Sequence, residues 1–120
     1  MDDSKILIVE DDFVVALDLK QRLEDIGHKI VGIEGDGEAA IKKTNKTKPD
    51  LILMDITLKG ELDGIETAQK IQENNDIPLI YVSGYIDKKT LKRAKITKPL
   101  AYITKPFVNS GLLKAIRSTV

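Results

Sequence analysis

The sequence predicts an α/β domain in which five parallel strands alternate with five helices that cover both faces of the sheet. The first observation is the apolar run 51–54, which leads straight into Asp55 and is typical of a strand buried on both faces. The second is that short apolar runs alternate along the chain with segments of helical periodicity. The third is that no linker, repeat or low-complexity segment divides the chain.

Five apolar runs bounded by turn residues predict the strands. They are residues 5–9, 29–33, 51–54, 78–82 and 101–103. Because consecutive strands are separated by helical segments, right-handed crossovers and a parallel sheet are expected.

Apolar residues at helical spacing predict the helices between these strands. The stripes are Val15, Leu19, Leu23 and Ile26, then Leu62, Ile65, Ala68 and Ile71, and finally Leu112, Leu113 and Ile116. A short helix begins near Ala39 and must stop before Pro49, and another runs to about Ala94. Gly27 is a predicted C-cap, and Asp63 and Asp87 are predicted N-caps.

The composition indicates one globular domain rather than a disordered or secreted chain. Of the 120 residues, 42% are apolar and 32% are charged, and cysteine is absent. The apolar runs are too short for a membrane span, and the first residues do not resemble a signal peptide. We therefore expect no membrane association and a cytoplasmic location.

The net charge of zero conceals an asymmetry along the chain. Residues 1–38 carry eleven acids and four bases, a net charge of −7, so the remainder carries +7. The basic segment 88–98 is either a solvated helix face or a surface for a partner. Direct binding to nucleic acid is not expected, because the chain is neutral overall and has only five aromatic residues.

Reactive side chains follow several of the predicted strands. Glu10, Asp11 and Asp12 follow the first, Asp55 the third, Ser83 the fourth, and Lys105 the fifth. A parallel sheet brings these groups to its carboxyl-terminal edge, where ligands bind in open α/β sheets. Asp55 alone could simply cap a turn.

Several carboxylates at one edge repel one another unless cations neutralise them, and carboxylates are suitable ligands for Mg²⁺. Lys105 supplies one positive charge, and Asp55 is the natural nucleophile. The residue types therefore indicate metal-assisted phosphoryl transfer to an aspartate.

The order of these groups resembles the receiver domain of two-component response regulators. An acidic pair, then Asp55, Ser83 and Lys105-Pro106 follow successive strands, and the resemblance spans essentially residues 1–120 as one domain. It implies a flavodoxin-like fold with strand order 2-1-3-4-5. It also implies that Asp55 accepts a phosphoryl group from a phosphohistidine on a sensor histidine kinase or phosphotransfer protein.

For the metal, the resemblance implies Mg²⁺ held by Glu10, Asp11 and Asp55, with Asp11 as a direct ligand. The backbone carbonyl of Thr57 would complete the protein's share of the ligands. Asp12 is a third acid without an assigned role.

For the response, the resemblance makes Ser83 and Tyr102 the switch residues and implies a cis peptide bond between Lys105 and Pro106. The surface of the basic segment 88–98, the fifth strand and the last helix would meet an output partner or a second copy of the chain. One departure is Lys59, where proline is common in the family, and another is Gly64, which follows Asp55 by nine residues rather than eight.

Two other interpretations compete. Residues 35–40 match G-x-G-x-x-A, the pattern of a dinucleotide-binding turn, although acids occupy two of its variable positions. A phosphatase of the haloacid-dehalogenase type also uses Asp, Ser or Thr, Lys and Mg²⁺. Its nucleophile follows the first strand, however, and its acidic pair lies late in the chain. That order is inverted here.

Overall fold

Five parallel strands form a single sheet in the computed structural model, which describes residues 4–84 and 86–105 together with Gly111, Lys114 and Ile116. The strand order is β2-β1-β3-β4-β5, as the resemblance implied. The strands are β1 (Lys5–Val9), β2 (Lys29–Glu34), β3 (Leu51–Met54), β4 (Leu79–Ser83) and β5 (Ala101–Thr104).

Four helices connect these strands, each with an aspartate at its N-cap. They are α1 (Phe13–Asp25), α2 (Gly37–Thr47), α3 (Gly64–Gln72) and α4 (Lys88–Ile96). Asp63 and Asp87 cap α3 and α4 as predicted. The N-caps of α1 and α2 are Asp12 and Asp36.

Two apolar cores lie on opposite faces of the sheet. On one face, α1 packs Ala16, Leu19 and Leu23 against the strands, and Ile116 joins the same core. On the other face, α2, α3 and α4 pack residues such as Ala40, Ile65, Ala68, Ile71 and Ala94. The side chains of β3 alternate between the two cores and all four residues are buried, so its prediction as a strand covered on both faces is confirmed.

The predicted element boundaries differ from the observed ones by a few residues. Glu34 belongs to β2 rather than to the following turn, because its backbone pairs with Val9. Gly37 opens α2, two residues before the predicted start, since the Asp36 side chain caps that turn. Most of the last predicted helix lies outside the described residues, including Leu112 and Leu113.

Candidate functional site

Three acidic side chains meet at the carboxyl ends of neighbouring strands. Glu10 and Asp11 follow β1, and Asp55 follows β3, which pairs with β1. Each carboxylate offers one oxygen, and these oxygens all lie within 4.8 Å of one another. Glu10 and Asp55 are each only 3% exposed. Such a closely spaced set of oxygen donors could hold a divalent metal ion.

Lys105 reaches the same cluster from the end of β5. Its Nζ forms ion pairs with Glu10 Oε1 and with Asp55 Oδ2, the latter at 3.5 Å. Its backbone N–H donates to the carbonyl oxygen of Ser83 at 2.7 Å, which fixes its position at the sheet edge. One ammonium group therefore faces two buried carboxylates.

Burial and neighbouring charges perturb the titration of Glu10 and Lys105. Burial raises the pKa of Glu10 to about 7, and hydrogen bonding with Asp55 adds to this rise, although Lys105 opposes it. For Lys105, burial disfavours the charged form, but Glu10 and Asp55 outweigh it and raise the pKa of the ammonium group. Three carboxylates face one ammonium group here, and this excess of acidic groups suits a metal cation.

Thr57 fixes the orientation of the Asp55 carboxylate. Both the backbone N–H and the hydroxyl of Thr57 donate to Asp55 Oδ1, each at 3.0 Å. Oδ2 is thereby directed toward Lys105. The sequence interpretation assigned Thr57 only a backbone carbonyl role, which stays a prediction. The bond from the Thr57 N–H has a sequence signal, because an aspartate commonly accepts from the backbone N–H two residues further on.

The loop after β3 folds toward the acidic cluster. The Lys59 N–H donates to Asp11 Oδ2 at 3.1 Å, a bond that a proline at this position could not make. The start of α3 lies against the backbone of the phosphoacceptor candidate: a Cβ on Gly64 would come within 2.0 Å of the Asp55 carbonyl oxygen. Glycine at position 64 is therefore required by close packing.

Ser83 on β4 pairs with Thr104 of β5, whereas Tyr102 on β5 pairs with Tyr81 of β4. The hydroxyl of Ser83 is buried and makes no hydrogen bond within the described residues. Tyr102 is 37% exposed and its ring stacks on Tyr81 with centroids 5.9 Å apart. A buried hydroxyl at the end of β4 that has no partner among the described residues fits an oxygen-rich ligand. The predicted cis bond involves Pro106, which lies outside the described residues.

Asp12 has a structural role rather than a place in the cluster. Its carboxylate accepts hydrogen bonds from the N–H groups of Val14 and Val15 and caps α1. The pattern was present in the sequence, since an aspartate directly precedes the helical stripe.

The G-x-G-x-x-A segment has a packing explanation. A Cβ on Gly37 would come within 2.2 Å of Thr67 Oγ1, so the glycine permits α2 and α3 to approach. Asp36 already uses its carboxylate to cap α2 through the Ala39 N–H. The position that a pyrophosphate would need therefore carries a negative charge.

Comparison with known families decides between the interpretations. The family described as the response regulator receiver domain matches residues 6–117. The chain belongs to this receiver family. Family membership disfavours both the phosphatase and the dinucleotide-binding interpretations. Receiver domains are signalling domains rather than dedicated enzymes, and this one has the parallel sheet order of CheY-like proteins.

Similar proteins include the transcriptional regulatory protein PdtaR of Mycobacterium tuberculosis, which is 34% identical over 116 residues. The match covers 97% of this chain and 56% of PdtaR. The regulator PhyR of Methylorubrum extorquens is 30% identical over 105 residues, covering 87% of this chain and 39% of PhyR. The receiver domain thus spans about half, or less, of these curated relatives.

Solved structures show the same fold. The signal receiver domain of a modulated diguanylate cyclase from Desulfovibrio desulfuricans superimposes with a TM-score of 0.92 and 34% identity, covering 98% of this chain and 93% of that one. The CheY chain of a CheX–CheY–BeF3–Mg complex from Borrelia burgdorferi gives a TM-score of 0.88 and 26% identity, with coverage of 96% and 87%. Among the residues described here, no helix combines the length and the apolar composition needed to cross a bilayer.

Proposed function

We propose that residues 1–120 act as one phosphoacceptor domain, in which Asp55 takes a phosphoryl group from a phosphohistidine of a sensor histidine kinase or phosphotransfer protein. The observation that carries this proposal is the convergence of Asp55, Glu10, Asp11 and Lys105 at one edge of the sheet. The Ser83 hydroxyl lies at the same edge, has no hydrogen-bond partner among the described residues, and supports the proposal.

In the proposed reaction, a carboxylate oxygen of Asp55 attacks the phosphorus atom. An O–P bond forms, the N–P bond of the phosphohistidine breaks, and the electron pair returns to the imidazole, which takes up a proton from solvent. Lys105 and Ser83 would donate hydrogen bonds to phosphoryl oxygens, and Thr57 would hold the Asp55 carboxylate in the orientation it has here. Negative charge that develops on the transferred phosphoryl group would thus be stabilised by hydrogen-bond donors that are already in position.

Glu10, Asp11 and Asp55 are the residues that would hold Mg²⁺, together with the backbone carbonyl of Thr57. When bound, Mg²⁺ neutralises negative charge on the pocket and on the phosphoryl oxygens. The fit rests on the hard oxygen donors, one from each of the three carboxylates, which all lie within 4.8 Å of one another.

Two exposed apolar patches are candidate partner surfaces. The first lies at the start of α1, beside Asp11 and Asp12, where Phe13 and Val14 are 64% and 78% exposed. We assign it to the phosphoryl donor because it borders the pocket.

The second patch lies at the end of α4 and on β5, where Ile96, Leu100 and Tyr102 are exposed next to a row of lysines. We assign it to an output partner or to a homodimer through α4, β5 and the last helix, in the cytoplasm. It would respond to the state of Asp55 through Ser83 and Tyr102.

The test is phosphorylation by a small phosphodonor such as acetyl phosphate with Mg²⁺, followed by intact mass. Wild type and Asp76→Asn, which changes an exposed acid before β4, should each gain one phosphoryl group. Asp55→Asn should gain none, and removal of Mg²⁺ with a chelator should abolish labelling. Labelling of Asp55→Asn at the wild-type rate would overturn the assignment.

The docking proposal has a separate test. Beryllofluoride with Mg²⁺ should change self-association in sedimentation experiments or binding to an output partner. Identical behaviour with and without beryllofluoride would remove the proposed role of the α4 and β5 surface.

A further inference from the structure

A salt bridge joins α4 to the loop that follows Asp55. Arg93 Nη2 lies 3.0 Å from Asp63 Oδ2, across 30 positions in sequence, and the two side chains are 43% and 30% exposed. Among the described residues, Arg93 is the only basic side chain of α4 in a salt bridge. The neighbouring Lys92 is exposed.

Asp63 is not an ordinary surface acid, because it holds the start of α3. Its Oδ1 accepts from the Glu66 N–H at 2.8 Å, while the Glu66 side chain accepts from the Asp63 N–H at 2.9 Å. This reciprocal capping box sets the direction in which the chain enters α3. One carboxylate oxygen of Asp63 therefore caps α3, and the other pairs with Arg93 of α4.

The start of α3 is in turn locked to the phosphoacceptor strand. The Gly64 N–H donates to the Ile56 carbonyl at 2.9 Å, and Gly64 packs so closely on Asp55 that a Cβ would lie 2.0 Å from its carbonyl oxygen. Close-packed backbone of this kind transmits displacement rather than absorbing it. A shift of Asp63 must therefore reach the backbone of Asp55 or Ile56.

The far end of α4 has its own anchor. The Tyr81 hydroxyl lies 2.7 Å from Thr97 Oγ1, which itself donates to the Ala94 carbonyl, and Gln72 Nε2 donates to the Thr97 carbonyl at 2.6 Å. These contacts hold α4 to β4 and α3 at its C-terminal end. Arg93 lies closer to the middle of the helix and is the described side chain that links α4 to the β3–α3 connection.

We propose that Arg93 is a positioning residue that couples the Asp55 pocket to the position of α4 through Asp63. This inference rests on the proposed function and adds a route by which the Asp55 pocket changes the position of α4. Coupling of this kind is reciprocal: if loading of the pocket moves α4 through this pair, then breaking the pair changes the affinity of the pocket. Because Asp63 holds the start of α3 against the Asp55 backbone, we expect that change to be a loss. Loss of the pair should lower the affinity for a phosphoryl mimic about fivefold, within the usual range of such couplings.

The experiment uses the full chain with Mg²⁺ and beryllofluoride, and it compares Arg93→Met with Lys92→Met. Both variants remove one positive charge from α4, but only the first breaks the salt bridge. Two quantities are measured: the apparent affinity from titration of beryllium at fixed fluoride and Mg²⁺, and the amide chemical-shift changes in residues 88–96 on saturation. The free energy of unfolding is measured for each variant.

Arg93→Met should bind beryllofluoride about fivefold more weakly and should lose most of the amide chemical-shift changes in α4. Lys92→Met should match wild type in both measurements. Arg93→Lys should recover part of the response, because an ammonium group can still pair with Asp63. Asp63→Asn keeps a capping side chain but weakens the pair, so it should behave like Arg93→Met, and the double variant should be no worse than either single one.

Equal affinity and equal α4 response in Arg93→Met and Lys92→Met would overturn the coupling role. A lower unfolding free energy alone, with an unchanged response, would show a merely structural salt bridge and would overturn it as well. If wild type itself fails to bind beryllofluoride with Mg²⁺, the proposed function fails first. The two failures are thereby distinguished.

Discussion

Glu10 should make the stability of the metal-free domain fall as the pH rises. Its carboxyl is only 3% exposed, and its pKa is raised from 4.5 to about 7 in the folded protein. Between these two values the folded state holds a proton that the unfolded state has lost. Stability therefore decreases with increasing pH across this window and levels off above about pH 7.

The size of the effect follows from the same two values. Each pKa unit is worth about 1.4 kcal/mol, so ionising Glu10 in the folded pocket costs about 3 kcal/mol in total. Glu10→Gln removes the titration while keeping the shape of the side chain. The difference in unfolding free energy, Glu10→Gln minus wild type, should therefore grow by roughly 2 to 3 kcal/mol between pH 5 and pH 8, because part of the loss already occurs below pH 5.

The assay is urea denaturation at a series of pH values in the presence of a chelator, with both proteins measured in parallel. The comparison cancels the titration of the other acids, which both chains share. Adding Mg²⁺ should stabilise wild type most above pH 7, where Glu10 is ionised. A difference that stays constant from pH 5 to pH 8, or that shrinks, would refute the assignment of a raised pKa to Glu10.

Two further predictions concern single contacts. Ser83→Ala should leave the unfolding free energy of the unmodified domain unchanged or raise it by up to about 1 kcal/mol, because it deletes a buried hydroxyl with no described partner. The same variant should weaken beryllofluoride binding about tenfold, because a hydrogen bond to a charged group is lost. A clear loss of stability with unchanged binding would contradict this. Gly64→Ala should destabilise the domain by about 2 kcal/mol or more in urea denaturation, since its Cβ would meet the Asp55 backbone. Gly35→Ala is the control: its Cβ would lie 3.9 Å from its nearest neighbour, so the variant should cost less than about 1 kcal/mol. Equal losses at the two glycines would argue against the close approach of α3 to Asp55.

Much of the fold was predictable because local chemistry and global architecture agree in this chain. The run 51–54 is buried on both faces, and its position in the middle of the sheet follows from that burial. Asp63 and Asp87 were recognisable as N-caps, since short acidic side chains satisfy the free N–H groups at a helix start. The meeting of Glu10, Asp11, Asp55 and Lys105 followed from one rule, that parallel strands end at a common edge.

The remaining features depend on distances that no local pattern encodes. In the sequence, Lys59 is a departure from the family pattern. In the fold, its N–H donates a hydrogen bond to the carboxylate of Asp11, 48 positions away. In the sequence, Gly64 is one residue later than the glycine common in the family. The folded chain requires a glycine at this position because α3 begins against the Asp55 carbonyl.

By itself, the sequence determined which residues form the sheet, which helices cover it and which reactive groups lie at its carboxyl edge, because periodicity and residue type act over a few positions. Only the tertiary structure decided that Arg93 pairs with Asp63, that the Asp11 carboxylate accepts from the Lys59 N–H, and that the Tyr81 hydroxyl meets that of Thr97. These features depend on where side chains end up after packing, and packing is set by contacts between segments far apart along the chain.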